Sequence, residues 1–364
     1  MKTLRNYVLK EFIGPLFLGI GVLTLVMLLG NLVKIATLVI TKGVQILSVI
    51  KLFLFMMPYL LTFTVPIAAL VATLFALGRL SSDNEIVAIR TSGINIIRLI
   101  TPLLVVGLIL SLILVIFNDR VIPYAHFATR KTLMDIGIKN PTAALEPGVF
   151  INSFDKYILF VYRIDDNKLT NIRIYEPLEG KATRTIVAKH GEFIALPEKK
   201  AIKLKLMDGT SDEPDPRNPT SLYKLNFKTY FMTLNLNAMQ QNSEINKKPK
   251  DMTIRELKHE VASFTLQGID PAPQIIEINR RIALAFSVLV FILLGSSLAI
   301  ITRRREKSVN IGIAILVVGA YYLLSLGFEA LSQQGFAHPG IAIWAPNIIL
   351  GLLGTFLVFR LCAS

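Results

Sequence analysis

Few residues in this sequence have types and spacing suited to catalysis or metal binding. The four histidines at positions 126, 190, 259 and 338 show no H-E-x-x-H or similar ligand spacing, so we predict no metal site. Cys362 is the single cysteine, which excludes an internal disulfide and a cysteine metal cluster. No G-x-x-x-x-G-K-S/T phosphate loop occurs, so the chain is not itself a P-loop ATPase. We therefore predict no catalytic residues and no cofactor.

The composition indicates a membrane protein with an inserted polar domain. Hydrophobic residues make up 53% of the 364 residues and concentrate near 12–118 and 282–361, whereas 120–280 has the composition of a soluble protein. The net charge of +14 does not indicate nucleic-acid binding, because the basic residues form no stripe with interleaved aromatics. Many of them instead flank the apolar segments.

Six apolar segments are long enough to cross a bilayer as helices, three on each side of the polar region. The predicted domains are accordingly 1–119 with spans one to three, 120–280 outside the membrane, and 281–364 with spans four to six. Pro58 and Pro66 in the second span favour packing against other helices, where carbonyls freed by proline find partners. The predicted spans are 12–33, 52–77, 99–118, 282–302, 309–330 and 341–360.

The Lys and Arg distribution in the short loops predicts the orientation. Basic residues crowd the N-terminus, the loop after span two and the loop at 302–308, whereas the loop at 332–340 has none. Both termini are therefore expected on the cytoplasmic side, with 120–280 on the outer side, which in a Gram-negative cell is the periplasm. Lys34, Lys42 and Lys51 follow span one without a neighbouring acid and break this rule.

Residues 120–280 alternate between apolar and polar side chains in short runs, which is typical of antiparallel β-structure. The pattern predicts a small sandwich or an open barrel-like sheet, then a linker at 240–250 and a helix over 251–266 with Ile254, Leu257 and Val261 on one face. A turn is expected at 211–219, which is rich in proline. The predicted strands are 157–163, 171–175, 183–189, 201–206 and 221–236.

Residues 78–98 are too polar to span the membrane but carry apolar side chains at helical spacing. We expect Ser81 or Ser82 to cap a short helix that ends at Gly93, with its early acids near the N-terminus. Ile86, Ala88 and Ile89 are expected to form its apolar face. Such a helix either docks on a soluble partner or rests on the bilayer surface, and these physical arguments leave both open.

The run D-x-E-x-x-A-x-R-x-x-G resembles the coupling helix of the lipopolysaccharide-export permeases, the LptF/LptG family. Its residues here are Asp83, Glu85, Ala88, Arg90 and Gly93. Further similarity lies in NPTAAL-x-x-G-x-F at 140–150 and in the stretches 277–300, 319–331 and 344–354. The resemblance covers the whole chain and is strongest at 83–93 and 277–354.

The resemblance implies a membrane helical bundle with an inserted all-β, jellyroll-like periplasmic domain and a transport function. A cytosolic ABC ATPase dimer would bind the coupling helices of two paired homologous permeases, with Glu85 at the contact. Lipopolysaccharide would enter between the permeases and pass to periplasmic bridge proteins. The NPTAAL stretch and the context of Lys34 favour the F-type partner.

Four cations are candidates for contact with lipid phosphates: Lys34, Lys42, Arg280 and Arg281. A cation on a low-dielectric cavity wall attracts phosphate strongly. Snorkelling to headgroups is the alternative and is favoured for Lys42, and headgroup contact is equally open for Arg280 and Arg281. Glu329 lies near the end of the fifth span, where it either pairs with a cation or reaches water.

Two other functions remain as alternatives. One is an ABC-type mechanical transducer without a lipid path, which co-purified lipid would distinguish. The other is an intramembrane hydrolase, which needs polar catalytic groups within the spans, where the sequence offers little besides Glu329.

Overall fold

The structure is a computed structural model. It describes residues 2–40, 44–139, 148–154, 157–165, 168–177, 183–196, 201–214, 222–235, 247–302 and 307–363. The chain divides into two compact units, one formed by 1–31, 55–127 and 248–364 and the other by 32–54 and 128–247. Helix α4 continues unbroken to Lys139, and α5 packs on α6 in the first unit. The domain limits at 119/120 and 280/281, drawn from composition, stay predictions.

The described helices include six that are long and apolar enough to cross a membrane, which confirms the three-plus-three prediction. They are α1, α2 and α4 before the strands, and α6, α7 and α9 after them. The helices are α1 (Lys2–Ile40), α2 (Ile46–Ser82), α3 (Glu85–Thr91), α4 (Ile96–Lys139), α5 (Ile254–Leu266), α6 (Ala272–Thr302), α7 (Lys307–Gln333), α8 (Pro339–Ala342) and α9 (Ala345–Ala363), with a 3₁₀ turn at Pro249–Asp251.

Helices α2 and α6 form the centre of the first unit. In their most apolar windows 72% and 67% of the residues are buried, against 17% for α1 and α7. Leu70, Leu77 and Phe291 are fully enclosed in this core. The prediction that the proline-containing second span packs among other helices is therefore confirmed.

Hydrogen bonds show which helix ends lie together at the two ends of this unit. At one end, Ser81 Oγ at the end of α2 donates to the carbonyl of Ile300 in α6 at 3.4 Å. At the other end, Asn118 Nδ2 of α4 donates to the carbonyl of Arg281 near the start of α6 at 3.0 Å. Helices α2 and α6 therefore run in the same direction and α4 runs in the opposite one, as expected of the second, third and fourth crossings of a bilayer.

The second unit contains an antiparallel sheet in which the described strands pair in sequence order. Leu159, Ile172, Ile186 and Leu204 lie in its apolar core. All five predicted strands are present, and β1 precedes them. The described order is a meander, which matches the open-sheet form and contains no Greek-key crossing among these strands. The strands are β1 (Phe150–Phe154), β2 (Tyr157–Asp165), β3 (Lys168–Glu176), β4 (Arg184–Leu196), β5 (Ala201–Pro214) and β6 (Leu222–Asn235).

The predicted turn at 211–219 is wrong at its beginning, because β5 continues to Pro214. Asp212 pairs with Thr185 of β4, and Pro214 pairs with Leu222 of β6. Ser211 is buried and accepts a hydrogen bond from Arg184 Nε at 3.1 Å. Pairing on both sides therefore outweighs the local turn propensity of these polar residues.

Candidate functional site

The coupling stretch forms a short helix, α3, but not with the predicted cap. Ser81 and Ser82 are the last residues of α2, and the Ser82 hydroxyl donates back to the carbonyl of Gly78 at 2.8 Å. The residue before α3 is instead Asn84, whose φ of 61° is left-handed and whose side chain makes no capping bond. The prediction of a serine cap is therefore wrong, because both serines lie inside α2, where Ser82 bonds back to Gly78 and Ser81 donates to Ile300 of α6.

The C-terminal end of α3 follows the sequence prediction. The helix ends at Thr91, and Gly93 adopts a φ of 79°, a conformation that favours glycine. The amide of Gly93 donates to the carbonyl of Arg90 at 2.9 Å, and the amide of Ile94 donates to that of Ile89 at 3.3 Å. This closure lets α4 begin only a few residues later, at Ile96.

Helix α3 has one face in the core of the first unit and another face open. Ile86 is buried and Ile89 packs against the core, as predicted. The prediction for Ala88 is wrong, because this residue is exposed. Two residues along a helix correspond to about 200° of rotation, so Ala88 points away from Ile86. Val87, which is 41% exposed, lies beside it on the open face.

Glu85 is held by a residue from the start of α1. The Tyr7 hydroxyl donates to Glu85 Oε1 at 3.0 Å. Close by in the chain, Arg79 forms an ion pair with Glu11 at 2.7 Å and a longer one with Asp83 at 3.8 Å. Three helices, α1, α2 and α3, are thus joined by polar contacts. Tyr7 could not be predicted as a partner of Glu85, because the two residues lie 78 positions apart in the sequence.

Arg281, a candidate for lipid contact, is buried within the first unit. Its Nε donates to Glu277 Oε1 at 2.9 Å, and its two terminal nitrogens donate to three main-chain carbonyls around the 3₁₀ turn. Those carbonyls belong to Met252 at 2.6 Å, Pro249 at 3.0 Å and Lys250 at 3.1 Å. This arrangement gives Arg281 a structural role, which is to fasten the turn to α6.

Arg280, the adjacent candidate, joins two spans and lines an open cleft. One terminal nitrogen bonds Glu277 in its own helix, and the other lies 3.4 Å from Glu329 Oε1 in α7. Glu329 thus pairs with a cation, one of the two arrangements considered from sequence. The cleft has a volume of about 710 Å³ and is also lined by His126, Lys248, Lys250, Asp270 and Gln333.

The two lysine candidates lie at the edge of the described structure or beyond it. Lys34 is within α1, but its side chain is outside the described residues, and so is all of Lys42. The structure therefore does not test a role of either lysine in binding lipid. The NPTAAL stretch at 140–145 is also outside the described residues.

A second group of buried polar contacts lies near Arg281 and was not predicted. His126 Nδ1 is 2.6 Å from Asp251 Oδ1, and the Asp251 side chain is fully enclosed. Asp119 Oδ1 accepts the amide of Ile254 at 2.6 Å. The polar residues that follow the apolar run of α4 are the only sequence signal for these contacts. Among the residues that the structure describes, no three His, Cys, Asp or Glu side chains group closely enough for a metal ion.

Six spans, a short helix between two of them and an inserted antiparallel sheet define a multi-pass membrane protein with a β domain. The chain belongs to the lipopolysaccharide export system permease LptF/LptG family, whose model matches residues 6–360. Proteins named lipopolysaccharide export system permease protein LptF in Escherichia coli and Shigella flexneri are each 20% identical over 373 residues, covering 99% of this chain and 97% of theirs. An uncharacterised protein of Rickettsia prowazekii is 22% identical over 260 residues, 71% of each chain.

Membership of this family confirms the resemblance seen in the sequence. The family consists of transport permeases rather than enzymes. The six spans of this chain agree with a multi-pass membrane protein. Glu329, the polar group an intramembrane hydrolase would most plainly use, is paired with Arg280 and Gln333.

Proposed function

We propose that the chain is the membrane permease subunit of an ABC transporter that extracts lipopolysaccharide from the inner membrane for delivery to periplasmic bridge proteins. The observation that carries this proposal is the geometry of α3. One face of this helix is anchored in the core by Ile86, and the other exposes Val87 and Ala88. A helix that is fixed on one side and open on the other suits docking of a cytosolic ATPase dimer.

The coupling mechanism follows from the contacts of α3. Movement of α3 by an ATPase would act directly on α2 and α4, which flank it in the chain, and on α1 through Tyr7 and Glu85. Coupling of this kind requires that the ATPase bind two states of the permease with different affinity. Hydrolysis of ATP belongs to the separate ATPase, and this chain supplies the moving spans.

For the lipid path we propose three cations, Lys34, Lys42 and Arg280, as contacts for lipid phosphates. Arg280 lines an open cleft, and its partner Glu329 comes from a different span, so a competing phosphate would alter the link between α6 and α7. We exclude Arg281 from this set, since its donors already bind Glu277 and main-chain carbonyls.

The proposed orientation places α3 and both termini in the cytoplasm and the β domain in the periplasm. The start of α1 and the end of α9 both contact the α3 end of the first unit, through Tyr7 to Glu85 and Cys362 to Asn95. The positive-inside rule assigns this end, which carries Arg79, to the cytoplasm. The paired homologous permease would be the G-type, because the LptF relatives favour F-type identity for this chain.

The test replaces Glu85 by alanine in a cell that depends on this chain. We expect Glu85→Ala to reduce the amount of ATPase that co-purifies and to abolish lipopolysaccharide export, while the permease still reaches the membrane. Glu192→Ala in β4 is the control for loss of one carboxylate, and it should leave both measurements unchanged. Normal export with Glu85→Ala would contradict the assignment.

A further inference from the structure

A groove between α4 and α5 combines an apolar floor with a basic rim. It has a volume of about 490 Å³, within the range of sites that hold small molecules. Its lining consists of Val115, Ile116, Asp119, Arg120, Ile254, Arg255 and Lys258. The groove lies entirely within the first unit and is separate from the cleft beside Arg280.

The rim carries three cations against a single acid, Asp119, so the lining has an excess of positive charge. Arg120, Arg255 and Lys258 are exposed and make no ion pair with any residue in the described part of the chain. The one acid in the lining, Asp119, is bonded to the amide of Ile254 at 2.6 Å. Like charges grouped around one groove repel each other, so an anion bound there would relieve that repulsion.

The groove crosses the point where the apolar part of α4 ends. No charged residue occurs between Leu99 and Asn118, and the charged pair Asp119 and Arg120 follows at once. Val115 and Ile116 therefore belong to the membrane part of α4, and Ile116 is 61% exposed. The three cations lie just beyond, where lipid headgroups meet water.

We propose that this groove binds an anionic glycerophospholipid of the surrounding bilayer. The phosphate would lie among Arg120, Arg255 and Lys258, and one acyl chain would lie along Val115 and Ile116. Arg and Lys provide charge-assisted hydrogen bonds to phosphate oxygens, and the apolar floor continues into the bilayer. The groove volume fits a single headgroup better than a glycolipid with many acyl chains. The proposal requires only that α4 spans a membrane and does not depend on the transport function.

The test measures lipid retention by the full-length chain in the complex in which it is purified. The complex is equilibrated with equal amounts of phosphatidylglycerol and phosphatidylcholine, and bound lipids are counted by native mass spectrometry. We expect a preference for phosphatidylglycerol that falls about five-fold for each cation removed, as is typical of a basic residue at a lipid surface. The variant is Arg120→Gln/Arg255→Gln/Lys258→Gln, and it should show no preference.

A matched control removes three exposed lysines of the sheet, Lys189→Gln/Lys224→Gln/Lys228→Gln. It has the same net charge as the groove variant and should retain the wild-type preference. Equal preference in the two variants would overturn the proposal, since the effect would then be one of overall charge. Thermal unfolding in phosphatidylcholine alone should give the same midpoint for both.

A photo-crosslinking amino acid at position 116 locates the lipid without removing a cation. We expect it to capture phosphatidylglycerol, with no competition from millimolar inorganic phosphate. Displacement by inorganic phosphate would show a simple anion site, and selective capture of lipopolysaccharide would show a cargo site. Either result would contradict the proposed occupant.

Discussion

Arg281 is a buried cation whose donors reach one carboxylate and three carbonyls. The carbonyls belong to Pro249, Lys250 and Met252, in and just after the 3₁₀ turn. Each carboxylate oxygen of Glu277 contacts one of the two arginines, so two cations balance its negative charge: Oε2 contacts Arg280 and Oε1 contacts Arg281. A guanidinium suits this position because its donors are fixed in a planar fork, whereas a lysine ammonium is a single point charge.

Replacing Arg281 by alanine should destabilise the first unit much more than replacing Arg280. Removal of one partner from a buried, hydrogen-bonded ion pair costs about 3–5 kcal/mol. Arg280 is partly exposed, so solvent screens its ion pairs and Arg280→Ala should cost less. Thermal unfolding in detergent and hydrogen exchange at residues 248–254 measure the two effects. A larger loss for Arg280→Ala would contradict the structural role assigned to Arg281.

Tyr7 offers a finer test of coupling than Glu85 does, because its hydroxyl can be removed alone. Tyr7→Phe keeps the ring and deletes one hydrogen bond, which contributes about 0.5–1.5 kcal/mol. We expect ATPase to co-purify nearly as in the wild type, while export per ATP hydrolysed falls, since α1 would follow α3 less closely. Tyr59→Phe, on a half-exposed ring of α2, is the control. Unchanged export per ATP in Tyr7→Phe would remove α1 from the coupling path.

At the scale of elements, local sequence signals identified helices and strands but not always their ends. The spans followed from length and apolarity, and the strands from alternation, because both patterns reflect burial directly. The ends of α2 and β5 were missed, since Ser82 bonds back to Gly78 and Ser211 is enclosed between two strands. Contacts between distant positions, such as Tyr7 to Glu85, leave no periodic signal in a single sequence.

Helix α5 has a complete capping box that fixes its start. Thr253 accepts the amide of Glu256 at 3.3 Å, and the Glu256 carboxylate accepts the amide of Thr253 at 2.7 Å. Thr253→Ala should destabilise the first turn by about 1 kcal/mol. Hydrogen exchange of the α5 amides should therefore accelerate. The control is Thr265→Ala, which changes an exposed threonine in the last turn of α5. Faster exchange of the α5 amides in Thr265→Ala than in Thr253→Ala would contradict the role of the capping box.

At the scale of the whole molecule, the even number of membrane spans determines which helix ends lie on the same side of the membrane. Six crossings return the end of α9 to the end of the first unit at which α1 begins, and the contacts of Tyr7 and Cys362 agree. The side of the membrane on which that end lies was predicted from Lys and Arg counts alone. This assignment determines whether a cytosolic ATPase can reach α3.

Cysteine labelling decides this orientation directly. In a Cys362→Ser background, Ser92→Cys places a thiol just after α3, and Gln334→Cys places one after α7; both positions are exposed. A membrane-impermeant maleimide should label position 334 in intact spheroplasts and position 92 only after the membrane is opened. Native Cys362 should behave like position 92, because both lie at the same end of the first unit. Labelling of position 92 from outside would show that α3 lies on the outer side of the membrane, where a cytosolic ATPase cannot bind it. The proposed transport mechanism would then have no physical basis.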